Sequence, residues 1–326
     1  MIPPASTPPT TLTRTFTARR CDTGFVVHDP LTGQTHRADT ELPSGRVRLS
    51  DADIAAWPEV HPAAVQADVP ISVCWSPLVR CNLACPHCLD DKTVPELARP
   101  NRHRIAGLLA ESGVLGVDIS GGEPLLLREL PELIDTLAAG GCAVSVTTNG
   151  THLARRAEAL ATRVDAVRVS LDGPDAECHD RWRGAGSFDR AVAGIRAAVA
   201  HGIPTQIQTV LLRSTARTSA RPMVELAAAL GVYGVTFLQM LPIGEGAALA
   251  DAEQLTDHEA RGLLAELTTT ADVAVRLRTR EAAGGFTVIR ADGQVWRNEP
   301  GVQGITTLRP LRGVHDLALS GRDGSA

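Results

Sequence analysis

The sequence predicts an α/β protein with a mostly parallel sheet, and three observations carry that prediction. Between residues 70 and 245, short apolar runs alternate six times with amphipathic stretches of helical period. Strands alternating with helices imply parallel pairing through helical crossovers. Glycines follow the amphipathic stretches, at Gly140-Gly141, Gly202 and Gly231, where helices commonly end in a left-handed residue. The flanks lack this alternation: residues 15–69 read as a region containing a β-hairpin, and residues 246–326 as a small α+β extension.

The elements follow in chain order. Residues 1–14 are Pro/Thr-rich without an apolar run and are expected to form a disordered tail, not a secretory signal. Gly24–His28 and Gln34–Ala38 flank the turn-rich Asp29-Pro30-Leu31-Thr32-Gly33 and read as a hairpin. Ser50 is placed to cap a short helix, Asp51–Trp57, stopped by Pro58. The strands expected in the central region are Ile71–Trp75, Val114–Ile119, Cys142–Thr148, Val164–Leu171, Thr205–Leu212 and Val232–Leu241. Helices are expected over Arg104–Glu111, Leu126–Ala139, Leu153–Leu160, Phe188–Ala200 and Pro222–Leu230. In the extension, Asp257–Thr270 reads as a helix. Phe286–Arg290 and Gln294–Arg297 flank Ala291-Asp292-Gly293, a strong hairpin signal, and the tail after Ser320 is expected to be loose. Six such units form either an open doubly wound sheet or a partial (β/α)6 barrel, and in both the ligands collect at the C-terminal ends of the strands.

Composition narrows the function classes. The chain has 326 residues, 44% apolar and 21% charged, with a formal net charge of −5. That composition belongs to a folded globular protein and favours neither a nucleic-acid binder nor a membrane-surface binder. No apolar stretch is long enough for a membrane span. Seven cysteines occur, at 21, 74, 81, 85, 88, 142 and 178. Their odd number and the crowding of three into one short stretch point to a metal or cluster site in a reducing compartment, hence a cytoplasmic protein.

The crowded run is Arg80-Cys81-Asn82-Leu83-Ala84-Cys85-Pro86-His87-Cys88, directly after the first central strand. Thiolates spaced C-x3-C-x2-C on one loop can bind one metal centre, but three ligands leave it incomplete. Either a fourth ligand closes a structural site, as zinc with His87 or Cys74 would, or the centre stays open and does chemistry at the vacant position. Zinc sites usually bring two separated pairs of ligands, and no second pair exists here. Of the isolated cysteines, Cys142 reads as a core strand residue and Cys178 as a loop residue.

Three more motifs end successive strands. Ser120-Gly121-Gly122-Glu123-Pro124 offers glycines that let backbone approach a ligand, and a carboxylate. Val146-Thr147-Thr148-Asn149-Gly150 is, at its plainest, an Asn-Gly turn followed by a cap at Thr151. Ser170-Leu171-Asp172-Gly173-Pro174 leads into His179-Asp180-Arg181-Trp182-Arg183-Gly184 and Gly186-Ser187-Phe188. There Arg183 has the plain reading of a loop arginine, and Ser187 that of a helix cap.

Together these motifs, in this order, resemble the radical SAM superfamily over roughly residues 71–245. The string S-L-D-G-P, H-D-x-x-R-G, G-S-F resembles its peptide-modifying branch, the one often extended by SPASM or twitch domains. The resemblance implies a partial (β/α)6 barrel. It implies that Cys81, Cys85 and Cys88 hold one [4Fe–4S] cluster whose fourth iron binds S-adenosylmethionine (SAM). Around SAM it places Gly121, Gly122, Glu123 and Pro124, with the Glu123 carboxylate on the ammonium group. Thr148 and Asn149 would face the ribose and cluster, Ser170 and Asp172 would contact SAM, and Arg183 would pair with its carboxylate. His87 departs from the family pattern, which usually has Tyr or Phe there.

The implied function is reductive cleavage of SAM to a 5′-deoxyadenosyl radical that abstracts hydrogen from a substrate, in maturation of a ribosomally made peptide. The alternative is a sugar, nucleoside or other small metabolite in natural-product biosynthesis. An electron donor such as flavodoxin or ferredoxin is implied as a partner. No cysteine follows Cys178, so no auxiliary cluster is expected in the extension, which is read as a degenerate SPASM/twitch-like lid over the barrel mouth. Cys178 is the candidate hydrogen-atom donor. The N-terminal region lacks the helices of a full winged peptide-docking domain, which leaves an edge-strand platform as its possible docking role.

Overall fold

The computed structural model describes residues 13–319 except 23, 66, 269–272, 280–285, 298–304 and 306. The expected tails therefore lie largely outside the described residues, at 1–12 and 320–326.

The N-terminal region is a four-stranded antiparallel sheet. It is formed by β1 (Thr13–Cys21), β2 (Gly24–His28), β3 (Thr35–Ala38) and β4 (Gly45–Ser50), in the order β3-β2-β1-β4. The expected hairpin is β2–β3, with Phe25 opposite Ala38. The two strands that sequence reading missed, β1 and β4, alternate only weakly; β1 is TRTFTARRC, and Phe16 and Ala18 are its main apolar anchors. Thr13 and Arg14 consequently leave the expected tail. Arg14 is 2% exposed and pairs with buried Asp29 and with Asp51. A short helix, α1 (Asp51–Ala55), follows with Ser50 as its cap: the Asp53 N–H donates to Ser50 Oγ, and the Ser50 N–H donates back to the Asp53 carboxylate.

The rest of the described chain is built on one ten-stranded sheet. It runs β5 (Ser72–Trp75), α2 (Arg99–Glu111), β6 (Gly116–Ile119), α3 (Leu130–Ala139), β7 (Ala143–Thr148), α4 (Leu153–Leu160) and β8 (Ala166–Ser170). Then come α5 (Ala176–Arg183), α6 (Ser187–Ala200), β9 (Thr205–Leu211), α7 (Ala216–Leu230) and β10 (Gly234–Gln239). The chain continues through α8 (Ala250–Glu253), α9 (Asp257–Thr268), β11 (Ala274–Arg278), β12 (Thr287–Ile289), β13 (Gln294–Arg297) and β14 (Arg309–Pro310). All six expected strands are present, and β11 adds a seventh parallel one that its AVRLR sequence did not announce. None of the described helices is long and apolar enough to cross a membrane.

Strand order decides between the two architectures left open above. Strands β5 to β11 neighbour one another in strict sequence order, with no reversal, so the doubly wound alternative is excluded. The sheet also curls. Were it flat, β11 and β12 would be seven inter-strand spacings apart, roughly 34 Å. Instead Arg278, which ends β11, stands 5.3 Å over the ring of Phe286, which leads into β12. The result is a partial barrel with its core between sheet and helices.

Three elements differ from expectation. Residues 176–183 form a helix, α5, where a loop was read; only His179 and Trp182 are buried, too few for a visible period, although Asp175 caps it. Helix α7 begins six residues before Pro222 and carries that proline inside it, anchored by buried Ala216, Ser219 and Ala220. The C-terminal hairpin turns at Gly293 (φ +77°), but it is not a lid. Strand β12 pairs in parallel with β5, so the hairpin widens the sheet and becomes a wall.

The N-terminal sheet closes the opposite end of the barrel. Arg168 of β8 donates to the carbonyls of Leu31 (3.0 Å) and Pro30 (2.6 Å), and Arg46 of β4 pairs with Asp165 at 2.6 Å. This junction carries a pH prediction. Burial, together with Arg168 and His36, pushes the His28 pKa down to about 4, although Asp29 opposes the shift. An unfolded histidine titrates near 6.5. On acidification the unfolded chain therefore takes the proton first. His28 should contribute about 3 kcal/mol to the loss of stability between pH ~6.5 and ~4, on top of that of His179, which burial also lowers to about 4. Urea unfolding at pH 7.5, 5.5 and 4.5 measures it, and His28→Gln should make the slope over that window shallower.

Candidate active site

A cavity of about 380 Å³ opens at the C-terminal ends of the strands, within the size range of small-molecule sites. The three thiols of the loop after β5, Cys81, Cys85 and Cys88, line it together. So do Gly121 and Gly122 after β6, Thr148 and Asn149 at the end of β7, Ser170 at the end of β8, and Arg183 from α5.

The cysteine loop is held by backbone. Gly122 N–H donates to the Leu78 carbonyl and Glu123 N–H to the Arg80 carbonyl, both at 2.9 Å. Glycine is required there: a Cβ on Gly122 would sit 2.1 Å from the Arg80 oxygen, and Gly121, at φ +103°, would meet the Leu78 oxygen at 2.4 Å. On the other side, Glu96 Oε1 accepts the N–H groups of Val79 (3.0 Å) and Arg80 (2.8 Å).

The donor set suits a cluster. Cys81 Sγ accepts from the Leu83 N–H at 3.4 Å and from Asn149 Nδ2 at 3.7 Å; N–H donors of this kind stabilise a metal-bound thiolate. Burial raises the Cys85 pKa, and burial raises Cys88 to about 11. Thiols held protonated in this way ionise only when a cationic centre binds and releases the proton. Among the described residues no three His, Cys, Asp or Glu side chains converge on a single-ion site. The zinc alternative fares poorly on its fourth ligand as well. His87 is buried with Nε2 at 2.9 Å from Asp172, and the Cys74 thiol bonds Ser120 Oγ with its pKa pushed by burial to about 12.

Four of the residues named from sequence do not line the cavity. The Glu123 carboxylate, expected on an ammonium group, is fully buried and accepts from Leu125 N–H (2.9 Å), Thr148 Oγ1 (2.7 Å) and Asn149 N–H (2.8 Å). It ties the end of β7 to the glycine turn and so positions Thr148 and Asn149. Pro124 is buried at the start of the short 3-10 turn that follows. Asp172 is also enclosed. Its carboxylate takes Arg183 Nε, approaches His87 Nε2, and accepts the Val210 N–H at 2.9 Å. Burial alone would raise its pKa, but Arg183 and His87 hold it well below the usual carboxylate range.

The fourth is Cys178. It lies on α5 with its thiol 3.3 Å from Ser219 Oγ of α7, behind the cavity wall. Cys178→Ala should therefore leave the activity of this cavity within about twofold of the parent, as for a substitution away from the reacting groups. A larger loss in a folded variant would support the expected hydrogen-donor role. The thiol outside the cysteine loop that does line the cavity is Cys74. Sequence reading weighed it only as a zinc ligand, although its place in the first central strand was the available signal. Other lining residues it missed, Arg278, Arg290 and Trp296, lie far along the chain: Arg290 and Trp296 come to the site because β12 pairs with β5, and Arg278 because the sheet curls.

Residues 75–227 match the family model of the radical SAM superfamily. The superfamily uses a [4Fe–4S] cluster and SAM, and the cavity's thiols and donors fit that pair. The chain is 34% identical over 203 residues to the mycofactocin maturase MftC of Mycolicibacterium smegmatis, covering 60% of this chain and 51% of that one. It is 40% identical over 162 residues to a probable GTP 3′,8-cyclase of Methanopyrus kandleri, covering 48% and 52%. Its fold resembles Streptococcus suis SuiB, solved bound to the precursor peptide SuiA, with a TM-score of 0.60 at 17% identity over 70% of this chain and 59% of that one. The chain spans about half the length of the curated relatives it matches.

Proposed function

We propose that this protein is a radical SAM enzyme that matures a ribosomally synthesised peptide. The observation that carries the reading is the meeting of three thiols from one loop, a glycine turn and polar strand ends in a single cavity. Cys81, Cys85 and Cys88 would hold the one [4Fe–4S] cluster. Asn149 and the Leu83 N–H stabilise the Cys81 sulfur. Thr148, Asn149 and Ser170 would orient SAM, and Arg183, steadied at Nε by Asp172, would present its remaining N–H groups to the SAM carboxylate. When bound, cluster and SAM supply one-electron reduction of the sulfonium and a radical able to remove hydrogen from an unactivated carbon. The chain's own task is to hold both, orient the substrate, and keep the reaction from solvent.

Similarity to a peptide maturase over more than half the chain supports a peptide substrate. The similarity to a GTP cyclase supports the second reading, a small metabolite. A cytoplasmic setting with flavodoxin or ferredoxin as electron donor suits the reduced thiols. We divide the chain into an N-terminal sheet (15–69, its first strand reaching back to Thr13), the barrel (70–245) and a cluster-free extension (246–326) whose β11 and β12 join the barrel's sheet. Anaerobic reconstitution tests the reading: about four irons per chain and reductant-dependent SAM cleavage are expected. A colourless zinc protein would overturn it, and about eight irons per chain would overturn the cluster-free extension. Mass change in a co-expressed precursor peptide encoded beside the gene decides between peptide and metabolite.

A further inference from the structure

Among the described residues, four guanidinium groups line the cavity, those of Arg168, Arg183, Arg278 and Arg290. Two of them are paired. Arg168 donates to two carbonyls and lies 3.2 Å from Asp118. Arg183 is bound to Asp172. Arg290 has no side-chain acceptor among the described residues but faces Asp90, whose carboxyl burial pushes up to about 6 against the pull of Arg290. Arg278 has no hydrogen-bond acceptor among the described residues; its contact is the face of Phe286, 5.3 Å away. The side chain is exposed, and it lines the cavity. Of the charged groups facing it, Arg168 repels it and Asp118 attracts it. Asp118 is already engaged by Ser145 Oγ (2.8 Å), Thr147 Oγ1 (2.9 Å) and Arg168.

Two more donors on this wall lack acceptors. Trp296 is 5% exposed, stands edge-on to Phe286 at 5.6 Å, and its indole N–H is unpartnered among the described residues. The Thr287 hydroxyl, 1% exposed, is unpartnered as well. A guanidinium, an indole N–H and a hydroxyl gathered on one wall, with an aromatic ring beneath the cation, call for a ligand that only accepts hydrogen bonds and carries negative charge. A carboxylate meets both requirements.

We propose that β11, β12 and β13 form a carboxylate-binding subsite centred on Arg278, and that the carboxylate it takes is the substrate's. The inference rests on the cavity being the active site. SAM also carries a carboxylate, but the charges that act on Arg183 include Cys85 and Cys88, whereas those acting on Arg278 are Cys74, Asp118 and Arg168. Arg183 thus belongs to the cluster side of the cavity and Arg278 to the wall of β5, β6 and β11.

The test uses reconstituted protein saturated with SAM. The probes are 3-phenylpropionate and its uncharged amide, 3-phenylpropionamide, read by thermal shift and calorimetry. The acid should bind and the amide should bind at least tenfold more weakly. Arg278→Gln should weaken the acid at least tenfold without changing amide binding, and Arg278→Lys should recover part of it. SAM affinity should stay within twofold in both variants. Equal binding of acid and amide, no binding of the acid, or no loss in Arg278→Gln would each overturn the subsite. A tenfold loss of SAM affinity in Arg278→Gln, with the acid competing against SAM, would give the carboxylate to the cofactor and overturn the substrate assignment. Iron content and SAM cleavage in the same preparations report separately on the underlying reading. Circular dichroism of each variant confirms that the strand wall is intact.

Discussion

Alanine at any one of Cys81, Cys85 or Cys88 should yield a folded protein that retains almost no cluster iron and cleaves no SAM above background. A cluster bound through three protein thiolates leaves no spare ligand to substitute for a lost one. Among the described residues the two remaining candidates are engaged elsewhere, His87 beside Asp172 and Cys74 on Ser120. Folding should survive, because the loop's backbone is held by the glycine turn and by Glu96, not by the sulfur atoms. Iron should drop from about four per chain to near zero in each variant, with the far-ultraviolet circular dichroism unchanged. A Cys85→Ala variant that kept full iron and SAM cleavage would refute the ligand assignment.

Asp172→Ala should be the most destabilising single change near the site. The carboxylate is fully enclosed and joins four elements: the strand end that carries it, Arg183 of α5, His87 of the cysteine loop and the backbone of β9. Removing it leaves Arg183 buried without its counter-charge. Breaking a buried pair from one side costs roughly 3–5 kcal/mol. Urea unfolding of the reconstituted protein should show a loss of that size, together with weaker SAM binding as Arg183 loses its anchor. Asp172→Asn, which keeps the shape and the Val210 contact, should lose less stability but still weaken SAM. A loss below about 1 kcal/mol in the alanine variant would mean that the ion pair contributes no more than an exposed one.

The cysteine loop, the glycine turn and the strand ends were legible because their signals are local. Cys81, Cys85 and Cys88 lie within one loop, Gly121 and Gly122 declare a close backbone approach by their identity, and six apolar runs give six strands. The hairpins at Asp29–Gly33 and Asp292–Gly293 were legible for the same reason. Helix α5 was hidden because two buried residues in eight make no period. Strands β1, β4 and β11 were hidden because arginine and threonine fill positions whose burial comes from neighbouring strands.

The direction in which a side chain points was not legible. The resemblance placed Glu123 and Asp172 on SAM; in the fold both are enclosed by donors from other strands. Cys178 read as a donor because its segment looked like a loop, and the helix turned its thiol toward α7.

By itself, then, the sequence determined which residues stand at strand ends and which three thiols share a loop, since those facts follow from short-range spacing and periodicity. Only the tertiary structure decided which of those residues face the cavity and which form its supports. It also brought Arg278 and Trp296 to the site from strands far along the chain. The physical reason is the pairing of β12 with β5 and the curl of the sheet: together they set the two ends of the barrel against each other, and no local pattern in the sequence records that closure.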